Sequence, residues 1–398
     1  MTETFPMTRT CPFDPPAGYA GLRAGAPLRK AVLPDGKTAW LITRYDLVRQ
    51  LLADPRVSSD RLHENFPLPV PVPREQLRQG PKFAQAMIGV DPPLHSDRRR
   101  MVIAEFTVRR IRDLAPRIRQ IVDEHIDAIL AGPRPADLVT ALALPVPSLV
   151  ICELLGVPYD SRDYFQERTR VLVNRHTPPA DRQRASQELG GYLDELVSAK
   201  EREPGDDLLG RVITHNRETG VFDHELLIGL AMLLLVAGHE TTANMIALGT
   251  VALLANPDQL AALRADPALL PGAVEELLRY LTIVEGGFRV ALEDISIGGM
   301  TIRAGEAVIA LGGAANRDES AFPEADRLDI TRGQRHHVAF GYGIHQCLGQ
   351  NLARTELEIV FGTLFHRIPG LRLATPLEDL PFKDDAAVYG VYELPVTW

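Results

Sequence analysis

Cysteine is scarce, with 3 in 398 residues, at Cys11, Cys152 and Cys347. An odd number at wide spacing argues against a disulfide framework and for a reducing compartment. Zinc is a poor fit as well: His345 and Cys347 stand two apart with no second cysteine in reach, so the four-ligand spacings are missing. Basic charge is not in excess. The 43 Lys and Arg face 52 Asp and Glu, a formal charge of −9, which argues against nucleic acid as a partner. Residues 1–20 hold no apolar run of the kind a secretory signal needs. The longest apolar run, residues 226–238, is too short for a bilayer. The expectation is a soluble, cytoplasmic, monomeric protein with no membrane contact. There is no internal repeat, no low-complexity tract, and no Gly-x-Gly-x-x-Gly to open a nucleotide fold.

What is there is a globular chain, 45% hydrophobic and long enough for a large core. Residues 1–27, rich in Pro, Gly and Ala, read as an irregular arm. Residues 28–33 and 37–42 flank Pro34-Asp35-Gly36, a hairpin signal. A helix is expected over 46–53. Residues 58–93 carry many prolines and little periodicity, and so long a loop is more often functional than idle. The middle of the chain is helical, with patterns over 141–155, 186–199 and 208–213 and the longest over 222–254. From 287 to 310 the chain turns β-like, a meander follows, and residues 369–398 read as loops and short strands. The fold class is therefore mainly α with a smaller β region, one domain over 1–398, the β-rich part at 28–42, 287–310 and 380–398.

Several places break local rules. Ala237-Gly238-His239-Glu240-Thr241-Thr242 puts a glycine and an acid in the middle of an apolar helix, costs that usually mark function. Glu276 and Arg279 stand three apart, which alone reads as a surface pair. His95 and Arg99 share a helix face, and residues 97–119 hold eight arginines against three acids. Phe340-Gly341-Tyr342-Gly343-Ile344-His345-Gln346-Cys347-Leu348-Gly349 holds one cysteine in a glycine-rich loop before a helix. A helix mouth favours thiolate, and Phe340 and Leu348 would keep water off the sulfur.

That loop resembles the haem-ligand loop of the cytochrome P-450 haem-thiolate monooxygenases, Phe-Gly-x-Gly-x-His-x-Cys-x-Gly, at every defined position. The resemblance spans nearly the whole chain. Ala237–Thr241 is similar to the family's oxygen-binding stretch, Glu276-x-x-Arg279 to its Glu-x-x-Arg motif, and Arg327 sits where a Glu-Arg-Arg structural triad would be completed. The chain looks most like soluble actinobacterial members that hydroxylate polyketides, sterol-like molecules and drugs.

The resemblance implies haem b, with Cys347 as axial iron ligand. A cysteinate pushes electron density onto iron and favours O–O cleavage. It implies an acid–alcohol pair in which Thr241 holds O2 and an ordered water while Glu240 links that water to solvent. Ala237 and Gly238 leave room for O2. His95, Arg99, Arg289 and His345 match propionate contacts, and Phe340, Gly341 and Gly349 belong to the cofactor loop. The pocket walls would come from the 60–90 loop (Met87, Ile88), residues 170–180, Leu233, Leu234 and Ala237, Ile283, Val284 and Glu285, and Val388 and Tyr389. Glu285 is expected to meet either a substrate group or a protein arginine. Electrons are expected from a separate ferredoxin and its reductase, docked by the arginines after Asp97. The expected activity is insertion of one atom of O2 into a hydrophobic polyketide, sterol-like, terpenoid or drug-like molecule. The alternatives are oxidative coupling or desaturation at the same cofactor, and a non-catalytic haem sensor.

Overall fold

The computed structural model describes residues 3–68, 74–79 and 82–398. The chain is mainly helical with a smaller β region, as its patterning predicts. Its axis is the helix His224–Ala255, 32 residues long. Asp223 caps it, accepting from the Leu226 N–H at 2.7 Å, and Pro257 begins the next helix. Nearly every side is apolar, so it can be stable only when surrounded. The interior glycine and acid do not split it into two shorter helices. It also runs well past the expected apolar run and is long and apolar enough to cross a bilayer, but 72% of its most apolar window is buried inside the fold.

Helices pack around this axis. Pro145–Leu155 lies against its middle and stops at Gly156 in the left-handed conformation (φ 66°). The expected helix over 141–155 is broken at its start, where Val139–Ala143 winds as a π-helical turn. Pro179–Arg202 passes over the axis as a roof, and Gln350–Arg367, which follows the cysteine loop, passes beneath it. The resulting core is continuous from Val102 through the axis to Val396.

The β region is built on one hairpin and a second antiparallel pair. Leu28–Val32 and Thr38–Ile42 pair in the register Leu28↔Ile42, around the Pro34-Asp35-Gly36 turn. Gly286–Ala291 pairs antiparallel with Ala307–Leu311, which runs parallel to Thr38–Ile42. Glu3–Thr4 and Val57–Ser58 complete the sheet edges. The expected β character over 380–398 reduces to the strand Pro395–Thr397 and isolated bridges such as Val284↔Val388. Residues 58–93 are less irregular than expected, with short helices Arg74–Gln79 and Phe83–Ala86. Positions 69–73 and 80–81 of that expected pocket wall lie outside the described residues.

Candidate functional site

Between the axial helix and the cysteine loop lies a cavity of about 730 Å3. Cys347 is on its floor, and Ala237 and Thr241 face it from the axial helix. The loop is held by its own backbone: the Cys347 N–H donates to the Phe340 carbonyl at 2.8 Å. Gly343 needs its freedom twice over, with φ at 74° and a would-be Cβ 2.3 Å from the Leu52 carbonyl oxygen. The accessible surface of Cys347 opens into the cavity rather than to outside solvent. Burial pushes its thiol up, outweighing the Gly349 N–H, Arg99 and Arg354, which pull it down. At the bare loop, burial therefore opposes the expected thiolate. A metal ion is what would remove the proton.

The donor set says which kind of metal fits. No group of three His, Cys, Asp or Glu side chains suited to a metal occurs among the described residues. The ion must bring most of its ligands with it and take one sulfur from the protein, which is what haem iron does. A Cβ at Gly349, beside Cys347 on the cavity floor, would meet no atom within 4 Å, so the space over the loop is open for a flat group.

One edge of the cavity is prepared for anions. His95 is 2% exposed and neither ring nitrogen has a partner. His345 lies with its ring centroid 4.0 Å away, and its Nε2 is also unpartnered. Arg99 donates to the Gln346 carbonyl at 2.8 Å and Arg289 to the Phe288 carbonyl at 2.7 Å. Arg61, which sequence reasoning missed, lines the same cavity. Among the described residues no carboxylate pairs with these three arginines. The nearby Asp91 is engaged by Ser58 Oγ at 2.5 Å and the Ser59 N–H at 2.8 Å. Burial, then the neighbouring cations, drive the His345 imidazole down to about 2. Burial also lowers His95, and takes Arg289 and Arg61 to about 10. So many desolvated cations without counter-ions are costly, and two propionates would relieve them.

Glu240 and Thr241 are adjacent but face different ways. The Thr241 hydroxyl donates to the Ala237 carbonyl at 2.9 Å, leaving its oxygen to accept from the cavity. Glu240 is 6% exposed and turns to the C-terminal loop, where its Oε1 accepts from Lys383 Nζ at 3.2 Å and Asn244 Nδ2 at 3.1 Å. Burial pushes the Glu240 carboxyl up, but Lys383, His239 and Asn244 outweigh it and hold it below the usual range. Gly238 does not serve chiefly to leave room in the cavity. A Cβ there would stand 2.7 Å from Ile151 Cδ1, so its smallness lets Pro145–Leu155 approach the axial helix. Ala237 lines the cavity beside it.

The expected brace is present with one partner changed. Arg279 forks onto Glu276 with both bonds at 2.8 Å, and both side chains are buried, so this is no surface pair. The third side chain is Arg332, whose Nε lies 3.2 Å from both Glu276 oxygens. Arg327 offers only its carbonyl to Arg279, at 3.2 Å, while its exposed guanidinium meets Glu324 at 3.4 Å. The meander turns between these two arginines, and a turn cannot be counted from sequence period. A second buried acid, Glu275, was missed. It accepts from His337 Nε2 at 2.9 Å and Arg354 Nε at 2.5 Å, joining the same helix to the cysteine loop and its helix.

Of the expected pocket walls, Met87, Ile88, Leu233, Leu234, Ala237, Ile283, Val284, Glu285 and Val388 line the cavity, as do Leu172, Val173 and Arg175. Tyr389 does not; it stacks on Phe382 and carries Arg9 over its ring at 4.2 Å. Glu285 is taken by protein, accepting from Arg175 Nη2 at 3.1 Å and from the Tyr19 hydroxyl. The roof helix adds Arg182, Gln183, Ser186 and Gln187, polar residues that the apolar expectation overlooked.

The cytochrome P450 family profile matches residues 180–369. Pentalenic acid synthase of Streptomyces avermitilis is 51% identical over 394 residues, covering 99% of this chain and 97% of that protein. The crystal structure of cytochrome P450 MoxA from Nonomuraea recticatena is 54% identical, with a TM-score of 0.91 over 99% of this chain and 98% of that one. The mycinamicin VIII C21 methyl hydroxylase of Micromonospora griseorubida, solved with mycinamicin VIII bound, is 44% identical, with a TM-score of 0.92 over the whole of both chains.

Proposed function

The chain belongs to the cytochrome P450 family, and from that premise we propose that its cavity orients a hydrophobic, oxygen-decorated small molecule between Thr241 and the roof helix Pro179–Arg202. The protein is a haem-thiolate monooxygenase that inserts one atom of O2 into its substrate. The haem, when bound, supplies the oxygen activation, pushed by its thiolate ligand. The observation that carries the reading is that Cys347, from the glycine-rich loop, and Thr241, from the axial helix, line one cavity.

The chain's own residues then divide the work. Cys347 would ligate the iron, and His95, Arg99, Arg289, His345 and Arg61 would hold the propionates. Ala237, by its size, leaves space for O2 beside Thr241, whose hydroxyl accepts and returns a hydrogen bond there. Glu240, turned to Lys383 and the C-terminal loop, links the Thr241 site to solvent. The apolar walls Leu233, Leu234, Ile283 and Val388 exclude water and grip the substrate body. Substrates of polyketide, terpenoid, sterol-like or drug-like kind suit such a cavity, and the bound ligand of the mycinamicin hydroxylase supports that range.

Electrons come from a separate ferredoxin and reductase. Exposed Arg109, Arg112 and Arg119, with no carboxylate partner among the described residues, offer an acidic partner its docking face. Three free cysteines suit a reducing, cytoplasmic compartment. The reading is tested by the ferrous–carbon monoxide spectrum: thiolate ligation gives a Soret band near 450 nm, shared with the family's name, and Cys347→His must abolish it. A wild-type spectrum without that band removes the assignment of Cys347.

A further inference from the structure

Three short segments weave one wall of the cavity. The Ala387 N–H donates to the Val173 carbonyl and the Tyr389 N–H to the Ile283 carbonyl, both at 2.9 Å, and Val284 bridges Val388. Val173, Ile283, Val284 and Val388 make that wall apolar. Arg175 and Glu285 are the charged residues set into it.

Arg175 is held at both ends. Its backbone N–H donates to the Asp385 carbonyl at 2.6 Å, and its Nη2 donates to Glu285 Oε2 at 3.1 Å. Glu285 is fixed in turn by Tyr19, a side chain 1% exposed that does not line the cavity, whose hydroxyl donates to Oε1.

This pair balances its charge but not its hydrogen bonds. A guanidinium carries five N–H donors. Arg175 gives one to Glu285, and its Nε is buried with no partner. A buried donor left unmade is costly. The other cations beside this wall are engaged: Lys383 with Glu240 at 3.2 Å, Arg182 with the Asn174 carbonyl at 2.6 Å, Arg9 with the Asp14 carbonyl at 3.1 Å. A ligand carboxylate would satisfy the spare donors but meet the carboxylate of Glu285. A ligand ammonium would meet the guanidinium. A neutral oxygen with lone pairs and no proton of its own avoids both, and that is a carbonyl.

We propose that Arg175 is a specificity-determining residue that selects substrates bearing a neutral carbonyl oxygen, as a ketone, ester or lactone, and that Glu285 and Tyr19 are its positioning residues. The proposal rests on the monooxygenase reading above and deepens it. The carbonyl fixes one part of the molecule, and with it which carbon lies beside Thr241. A molecule without that oxygen leaves the Arg175 donors unpaired, which rejects it more strongly than an apolar wall would. No bond is made or broken at Arg175.

The experiment reads Kd from the haem spin-state shift, in holoenzymes matched for haem content and for the ferrous–carbon monoxide band. The probes are cyclopentadecanone, cyclopentadecane and cyclopentadecanecarboxylate. Wild type should bind the ketone roughly tenfold more tightly than the hydrocarbon, and the carboxylate more weakly than the ketone. Removing Arg175 alone would strand Glu285 without its cation, so the variant is Arg175→Met combined with Glu285→Gln. There the ketone should lose its advantage while the hydrocarbon binds as in wild type, a split that a merely structural role would not produce. Glu285→Gln alone should keep the ketone advantage and tighten the carboxylate roughly tenfold, because Arg175 then lacks its counter-ion. Tyr19→Phe should weaken the ketone roughly threefold and leave the hydrocarbon unchanged; an unchanged ketone affinity removes Tyr19 from the assignment. A wild type that does not prefer the ketone, or a double variant that still does, overturns the role of Arg175 and leaves the haem-thiolate reading standing. A wild type without the carbon monoxide band takes down that reading and this proposal together.

Discussion

At Thr241 a helix hydroxyl spends its proton on the carbonyl one turn back, Ala237, at 2.9 Å. Its oxygen keeps lone pairs facing the cavity, so the side chain accepts there without leaving the helix. Thr241→Ala should leave the fold intact and lower product per electron pair roughly tenfold or more, with hydrogen peroxide rising to match. Unchanged peroxide release in that variant would take Thr241 out of the proton path. Thr241 and Cys347 could be named from sequence because their motifs are local and continuous. Gly238 could be named but its task could not. Its smallness serves Ile151, a residue 87 positions earlier, and no local pattern carries that contact. Arg61 had no signal at all: it is one arginine in an irregular stretch, placed at the cavity edge by the fold.

Between elements, the helix Leu270–Leu281 works as a bracket. Glu276 and Arg279 fix the meander on one side, and Glu275 fixes His337 and Arg354 on the other. Breaking a buried pair by removing one partner leaves a desolvated charge, a loss of roughly 3–5 kcal/mol. Arg332→Ala leaves Glu276 its fork to Arg279 and should cost less than that, yet still melt earlier and hold haem less well than wild type, whereas Arg327→Ala, changing an exposed side chain, should behave as wild type. The reverse ranking would restore Arg327 to the brace. Glu275 makes the bracket sensitive to acid. Burial pushes its carboxyl up, yet His337 and Arg354 outweigh that and bring it from 4.5 to about 2. A depressed carboxyl stabilises the fold above its unfolded value and loses that contribution as pH falls through its folded one. About 3 kcal/mol should thus disappear between pH 4.5 and 2. The slope of denaturant stability against pH in that window should be shallower in Glu275→Gln, and an identical slope would show that Glu275 does not titrate there. The Glu276-x-x-Arg279 spacing was legible because a helix period sets it. Arg332 was not, because a meander has no period.

The whole molecule is acidic, with a formal charge of −9, yet Arg109, Arg112 and Arg119 stand exposed along one helix of the fold. A basic patch on an acidic body draws an approaching acidic donor to that face and repels it elsewhere. Reduction by a ferredoxin should slow as ionic strength rises from about 0.01 M to 1 M, where the screening length falls from about 30 Å to 3 Å. Stopped-flow reduction rates flat across that range would leave the patch without a docking role. The cavity is a property at this scale too. Its apolar walls come from segments scattered along the chain, and its polar roof, Gln183, Ser186 and Gln187, faces inward only because the helix Pro179–Arg202 lies across the axis.

By itself the sequence determined the short motifs on which the family resemblance rests, the loop around Cys347, Glu240–Thr241 and Glu276-x-x-Arg279, because each is local and continuous. It also determined the class of fold, through the long apolar helix and the hairpin signals. Only the tertiary structure decided which arginine completes the brace, that Glu285 answers to Arg175 and Tyr19, that Tyr389 stands outside the cavity, and that Glu240 looks towards Lys383. Those choices pair residues far apart in the chain. Their energy comes from desolvation and packing, which exist only once the chain has closed on itself.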